Sequence, residues 1–166
     1  MNISTYIAYY TKGLKDRLEV VRPTMIDSLC SLFVREYIPL VDPCTVRDVD
    51  TFYFEYDYET LDIVVWAEDK AEQVISSISM GIPENLSDNL FPRELYFSLH
   101  NLEESWTETE DGEEMYDELM QTLSEQQERI LEFWFTQCWL EAKTKTGASI
   151  KGKFSIHDTT YRTELP

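Results

Sequence analysis

The chain has 166 residues, of which 43% are hydrophobic and 13% aromatic, so it can bury one hydrophobic core. Its formal net charge of -18 at pH 7 repels phosphate backbones, which argues against direct binding to nucleic acid. The apolar runs are far shorter than the roughly 20 residues that a membrane-spanning helix needs. We therefore expect a single acidic domain spanning residues 1–166.

Cysteine usage and the N-terminal sequence bear on the compartment. The three cysteines, Cys30, Cys44 and Cys138, are odd in number and widely spaced, so they indicate neither a disulfide framework nor a zinc site. The first residues lack the basic stretch and the apolar stretch of a signal peptide. These features predict a cytoplasmic protein.

Two helices are predicted at the start of the chain. Ser4 or Thr5 would cap the first, whose apolar residues recur at helical spacing, although Gly13 weakens the pattern. The second covers RPTMIDSLCSLFVREYIPLV and begins at Pro23, a residue suited to the first turn of a helix. A turn-rich linker follows it.

The clearest strand signal is TFYFEYDYETLDIVVWAED, residues 51–69. Its aromatic residues alternate with Tyr53, Glu55, Asp57 and Glu59, which predicts a strand with one buried and one solvated face. Three carboxylates would then lie in a row on the solvated face. LDIVVWA follows after a short break and predicts the second strand of a hairpin.

A long helix is predicted from Glu113 to about Ala142, with Asp111 or Gly112 as its cap. Its apolar stripe includes Trp134 and Cys138, which we expect to be buried, and acidic residues crowd its first turns, where the helix dipole favours them. The aromatic residues of FWFTQCW span more than one helical face. At least one of them is therefore expected near the surface.

The remaining segments give weaker signals. QVISSISMGI is compatible with a strand, and RELYFSLHNL fits either a helix or a strand. IKGKFSIHDT predicts a last short strand. The sequence thus predicts an α+β domain in which an antiparallel sheet with a central hairpin packs against two N-terminal helices and one long C-terminal helix.

Negative charge is distributed unevenly along the chain. Residues 51–142 contain 23 acidic and 3 basic residues, whereas the rest of the chain contains 9 acidic and 11 basic residues. Nine of the acids lie in EESWTETEDGEEMYDE, residues 103–118, which has no Lys or Arg. Such an excess of acidic residues occurs both on solvated faces and on interaction surfaces. Concentrating like charges, however, does not stabilise the folded state, because the charges repel one another.

We therefore predict a docking surface for a basic protein partner, with Trp106 as an apolar anchor among the acids. The residues assigned to this surface are Glu55, Asp57, Glu59, Glu103, Glu104, Trp106, Glu108, Glu110, Asp111, Glu113 and Glu114.

No residue pattern predicts catalysis, a cofactor or a metal site. A calcium loop needs alternating acids with a glycine at the sixth position and a glutamate at the twelfth, and the acidic run does not keep that register. His157 and Asp158 are compatible with acid-base chemistry, but His100 is the only other histidine, and a structural role is more common. We expect a non-enzymatic protein without a cofactor.

Three segments carry a resemblance to a known kind of protein. The hairpin FYFEYDYETLDIVVW, the helix end FWFTQCW and the closing FSIHDTTYRTEL together resemble small acidic immunity proteins of bacterial toxin systems. The resemblance implies a protein that binds and blocks a toxin, often a basic nuclease. Three alternatives stay open: a phosphate-mimicking inhibitor of a nucleic-acid-binding protein, a small enzyme or ligand-binding protein with a site near His157, and an accessory domain whose charge serves solubility.

Overall fold

Helices cover one face of a mixed β-sheet in the computed structural model, which describes residues 2–34 and 38–166. A short 3-10 turn, Val46–Asp48, precedes the sheet. The helices and strands of the described residues are α1 (Ile3–Phe33), β1 (Thr51–Tyr56), β2 (Ile63–Glu68), β3 (Met80–Ile82), α2 (Arg93–Trp106), α3 (Glu110–Thr146), β4 (Lys151–Ile156) and β5 (Thr163–Leu165).

The strand order is β3-β2-β1-β4-β5, with β1 in the centre. The predicted hairpin is present, because β1 pairs antiparallel with β2 and places Phe54 opposite Val65. The prediction of a wholly antiparallel sheet is wrong, since β1 pairs parallel with β4 and places Phe54 beside Phe154. A parallel partner requires a long crossover connection, and the helices α2 and α3 supply it between β1 and β4.

A single helix replaces the two that were predicted at the N-terminus, and Pro23 lies inside it. The buried stripe of α1 continues past this proline without a break, from Leu14 and Leu18 to Met25. Proline removes the hydrogen bond to the carbonyl of Glu19, but both residues are exposed, so water can bind the freed carbonyl. Packing of the unbroken stripe therefore outweighs the local cost of the proline.

Two details of this N-terminal region also differ from the prediction. Asn2 caps α1 in place of Ser4 or Thr5, and its side chain accepts a hydrogen bond from the backbone N–H of Thr5 at 3.0 Å. Residues 35–37, which the second predicted helix includes, lie outside the described residues.

The long helix α3 supplies much of the core. Trp134 and Cys138 are buried, as predicted, and the Phe135 ring stacks on Phe154 at 4.5 Å between centroids. Phe133 is 70% exposed, which confirms that one aromatic residue of this cluster lies at the surface.

The start of α3 differs from the prediction. The helix begins at Glu110, and its cap is Thr109, whose hydroxyl accepts a hydrogen bond from the backbone N–H of Gly112 at 3.2 Å. The assignment of Asp111 or Gly112 as the cap is therefore wrong, because both lie within the first turn.

The ambiguous segments take specific forms. RELYFSLHNL is helical and belongs to α2. QVISSISMGI contributes the short strand β3, together with isolated bridges from Val74 to Glu68 and from Ser76 to Leu40. IKGKFSIHDT forms β4 as predicted, but it is not the last strand, since β5 pairs with it and places Leu165 opposite Gly152.

Candidate functional site

The acidic run forms a helical hairpin, which we call the acidic hairpin (residues 103–118). It consists of the end of α2, a turn over residues 107–109 and the start of α3. Its nine acidic side chains are all exposed: Glu103, Glu104, Glu108, Glu110, Asp111, Glu113, Glu114, Asp117 and Glu118. The run is therefore ordered in two helices with every carboxylate at the surface.

The charges of the acidic hairpin are not matched by bases. Glu103 and Glu104 lie 3.5 and 3.6 Å from the ring nitrogens of His100. Within residues 2–34 and 38–166, none of the nine carboxylates forms an ion pair with Lys or Arg. The hairpin consequently presents uncompensated negative charge to solvent.

Gly112 fixes the geometry of this hairpin. A β-carbon at this position would lie 2.1 Å from the carbonyl oxygen of Trp106, a distance that only glycine permits. The close approach brings the start of α3 against the end of α2. The carboxylates on the two helices are thus held in a defined arrangement.

Trp106 does not stand free among the acids. Its indole is half-buried and packs edge-on against Tyr6 of α1, with the ring centroids 5.3 Å apart. The exposed aromatic residues in this region are instead Tyr96 and Phe97 of α2, whose rings contact each other edge-on. These two residues are better placed than Trp106 to serve as apolar anchors.

The expected row of three carboxylates on one strand face is wrong. Only Glu55 lies on a strand, because β1 ends at Tyr56. The carboxylate of Asp57 accepts hydrogen bonds from the backbone N–H groups of Glu59 and Thr60, at 2.9 and 2.8 Å, and so closes a turn. Asp57 therefore has a local structural role, whereas Glu59 is exposed beyond it.

His157 lies directly after β4 and is exposed. Its Nδ1 atom is 2.9 Å from a carboxylate oxygen of Glu55, and its Nε2 atom is 3.4 Å from Asp158. His100 lies on α2 with other partners. Among the described residues, no group of three or more His, Cys, Asp or Glu side chains is placed to hold a metal ion.

The contact between His157 and Glu55 predicts a specific titration behaviour. The hydrogen bond with Glu55, followed by the charge of Asp158, raises the pKa of His157 above its ordinary value of 6.5. The stabilising effect of the contact is therefore complete below about pH 6.5 and is lost as the pH rises through the pKa of the folded state. An NMR titration should give a midpoint above 6.5, and Glu55→Gln should lower it.

A second feature is a cavity between the β1–β2 turn, α2 and α3. It has a volume of about 290 Å³, and its walls include Tyr58, Tyr96 and Tyr116. A smaller cavity of about 170 Å³ adjoins it at the ends of the parallel strands, beside Tyr56 and Ile156. Both are lined by Tyr58, Ser124 and Gln127, and we call the pair the tyrosine groove.

Two polar side chains in the tyrosine groove have no partner. The Tyr56 hydroxyl is the only buried side-chain polar atom of the described residues without a hydrogen bond. Gln127 is 8% exposed, and its carboxamide forms no hydrogen bond within the described part of the chain. Buried polar groups are normally paired, so the Tyr56 hydroxyl is a candidate for contact with a ligand, and the solvent-accessible Gln127 carboxamide in the same groove is available to join that contact.

Carboxylates dominate the electrostatics around the groove. Burial raises the pKa of the Tyr56 hydroxyl, and the nearby carboxylates of Glu128 and Glu132 raise it further. Burial, followed by the charge of Glu103, raises the pKa of Tyr116 to about 12. Both hydroxyls are therefore neutral donors and acceptors at pH 7 in a negative field.

Sequence reasoning missed most of this groove. The alternating pattern of residues 51–59 predicts that the aromatic side chain of Tyr58 is buried with those of Phe52, Phe54 and Tyr56, yet Tyr58 lies in the turn after β1 and is exposed. The one available signal was Gln127, which lies on the apolar stripe of α3 between Leu123 and Leu131. A polar residue at such a position marks an interruption of the core.

Removing the unpaired hydroxyl is expected to stabilise the protein. Tyr56→Phe deletes a buried polar group without a partner and keeps the ring that stacks on Phe154. We expect the free energy of unfolding to rise by about 1 kcal/mol, measured by urea denaturation. Tyr161→Phe, at a residue that is 75% exposed, is the matched control and should have no measurable effect.

Comparison of the chain with known protein families, curated proteins and solved structures found no match. No helix among the described residues is sufficiently long and apolar to cross a membrane.

Proposed function

We propose that the protein is a non-enzymatic binding protein whose acidic face docks a basic protein partner, with a cognate bacterial toxin as the leading candidate. The observation that carries this proposal is the acidic hairpin, whose nine exposed carboxylates have no Lys or Arg partner among the described residues. The partner would supply the missing positive charge.

Stability of the fold does not account for this arrangement. The acids in the first turn of α3 interact favourably with the helix dipole, but Glu103 and Glu104 lie in the last turn of α2, where the dipole disfavours them. Asp117 and Glu118 lie beyond the first turn and gain little from it. Concentrated like charge opposes compactness, so a role in association explains it better.

Contacts other than charge would come from the aromatic residues beside the acidic hairpin. Phe97 is 56% exposed, and Tyr58 and Tyr96 border the tyrosine groove next to Glu103. Aromatic anchors surrounded by polar groups are typical of the energetic centre of a protein interface. The docking surface that we propose therefore joins the acidic hairpin to the exposed side of α2.

Neutralising four carboxylates of the acidic hairpin is expected to slow docking. The four-site variant carries Glu104→Gln, Glu114→Gln, Asp117→Asn and Glu118→Gln, and so spares the first turn of α3. Association should slow by about tenfold or more at low ionic strength, and its dependence on salt should flatten, because steering by the field is weakened. The melting temperature should stay the same or rise, since like-charge repulsion falls.

The measurement requires a captured partner. The wild-type chain and the four-site variant are immobilised in parallel and exposed to an extract of the source organism. A protein enriched on the wild type is purified, and its association rates are measured at several salt concentrations.

A second variant with the same change in charge is the control: Glu19→Gln, Asp27→Asn, Asp42→Asn and Glu84→Gln, all at exposed positions away from the acidic hairpin. If association slows equally in both variants, the effect depends on the net charge of the protein and not on the position of the acidic hairpin. An unchanged rate in the four-site variant would remove the acidic hairpin from the docking surface.

A further inference from the structure

We infer that the tyrosine groove holds the guanidinium group of an arginine side chain of the partner. This inference rests on the proposed function and specifies which chemical group the surface recognises. It starts from the unpaired Tyr56 hydroxyl and the unpaired Gln127 carboxamide, which line adjoining parts of one groove. Both can accept hydrogen bonds, and guanidinium is a group that only donates them.

The charges around the groove select a cation. Glu59 and Glu103 line the larger cavity, and Glu128 lines the smaller one. Among the residues that the structure describes, no Lys or Arg lines either cavity, and the one histidine there, His100, lies beside Glu103 and Glu104. An anionic or neutral ligand would gain nothing from this field, whereas a cation would relieve the repulsion between the carboxylates.

The walls favour guanidinium over ammonium. Tyr58, Tyr96 and Tyr116 line the larger cavity, and aromatic faces attract planar guanidinium by stacking and by cation–π interaction. Guanidinium also loses less hydration than ammonium on entering a half-buried site, and its five donors can reach several acceptors at once. Volumes of about 290 and 170 Å³ suit one side chain.

The experiment is an NMR titration of the full chain with L-argininamide as the probe. L-citrullinamide has the same α-amino group and nearly the same shape but an uncharged side chain, so it is the control for the guanidinium charge, and L-lysinamide tests a side-chain ammonium. We expect argininamide to shift the ring signals of Tyr56, Tyr58 and Tyr116 and the side-chain amide signal of Gln127. Citrullinamide should leave these signals unchanged, and lysinamide should bind more weakly than argininamide.

Matched variants separate the groove from general attraction to an acidic protein. Gln127→Leu and Tyr56→Phe should each weaken argininamide binding by about tenfold, since each removes a hydrogen bond to a charged group. Gln121→Leu, at an exposed position on the same helix, and Tyr161→Phe should bind like the wild type. Equal shifts with citrullinamide would overturn the inference, as would binding that Gln127→Leu and Tyr56→Phe leave unchanged.

The test is independent of docking by the acidic hairpin. The four-site variant keeps every residue that lines the groove, so argininamide should still bind there. If this binding persists while docking rates are unaffected by the four-site variant, the proposed docking surface fails. If docking slows in that variant but argininamide does not bind in the groove, the proposed function stands and the inference about arginine fails.

Discussion

Replacing Trp134 with alanine is expected to lower the free energy of unfolding by about 3–5 kcal/mol. The indole is 4% exposed between α1 and α3, and its Nε1–H donates a hydrogen bond to the carbonyl oxygen of Leu18 at 3.0 Å. Alanine would remove this link between the two helices and leave a cavity in the core. Urea denaturation followed by circular dichroism measures the loss.

The neighbouring residue provides the control for this prediction. Phe133 is 70% exposed on the same helix, so Phe133→Ala should change the free energy of unfolding by no more than about 0.5 kcal/mol. Similar losses in both variants, or no loss in Trp134→Ala, would contradict the packing of α3 on α1.

The second large effect concerns a buried charge on the sheet face opposite the helices. The carboxylate of Glu68 is 1% exposed and accepts hydrogen bonds from Arg162 at 2.8 Å and from Lys153 at 3.2 Å. The guanidinium of Arg162 also lies 3.9 Å over the ring of Tyr53. These contacts attach the C-terminal segment to β1 and β2, and Lys153 links β4 to the same carboxylate.

Removing both cations is expected to destabilise the protein by about 2–4 kcal/mol, measured by urea denaturation of Lys153→Met/Arg162→Met. The change leaves the carboxylate of Glu68 buried without a partner. This loss is smaller than the roughly 3–5 kcal/mol usual for breaking a buried ion pair, because Arg162 is partly exposed to solvent.

Adding Glu68→Met to that double variant should restore most of the lost stability, since an apolar residue needs no counter-charge. Lys151→Met removes an exposed lysine of the same strand that pairs with Asp50, and it should have little effect. If the triple variant is no more stable than the double variant, the two cations stabilise the sheet by contacts other than neutralising the buried charge of Glu68.

The sequence was most informative where a periodic pattern and burial agree. The alternation around Phe52 and Phe54 identified the central hairpin, and the stripe through Trp134 and Cys138 identified the buried face of the long helix. In each case the apolar side chains that define the periodic pattern also form the core, so the local pattern and the tertiary packing favour the same secondary structure.

Prediction failed where tertiary contacts decide the local structure. Pro23 indicated a helix start, yet packing of α1 on α3 carries the helix through it. Gly13 weakened the prediction of the first helix. A β-carbon at this position would lie 2.5 Å from the side chain of Leu95, so the glycine allows α2 to pack closely against α1. The tyrosine groove is formed by three segments that are distant in sequence, and neither hydrophobic periodicity nor composition predicts that such segments meet.

The parallel pairing of β1 with β4 has a consequence for how the chain acquires its structure. Thr51 and Lys151 are partners in this pairing, so the centre of the sheet is completed only after about 100 further residues have joined the nascent chain. At typical rates of synthesis this interval lasts about 5–20 s. A chain that stops before Lys151 would keep β1 as an open edge strand, and such fragments should aggregate through that edge instead of forming a smaller stable domain.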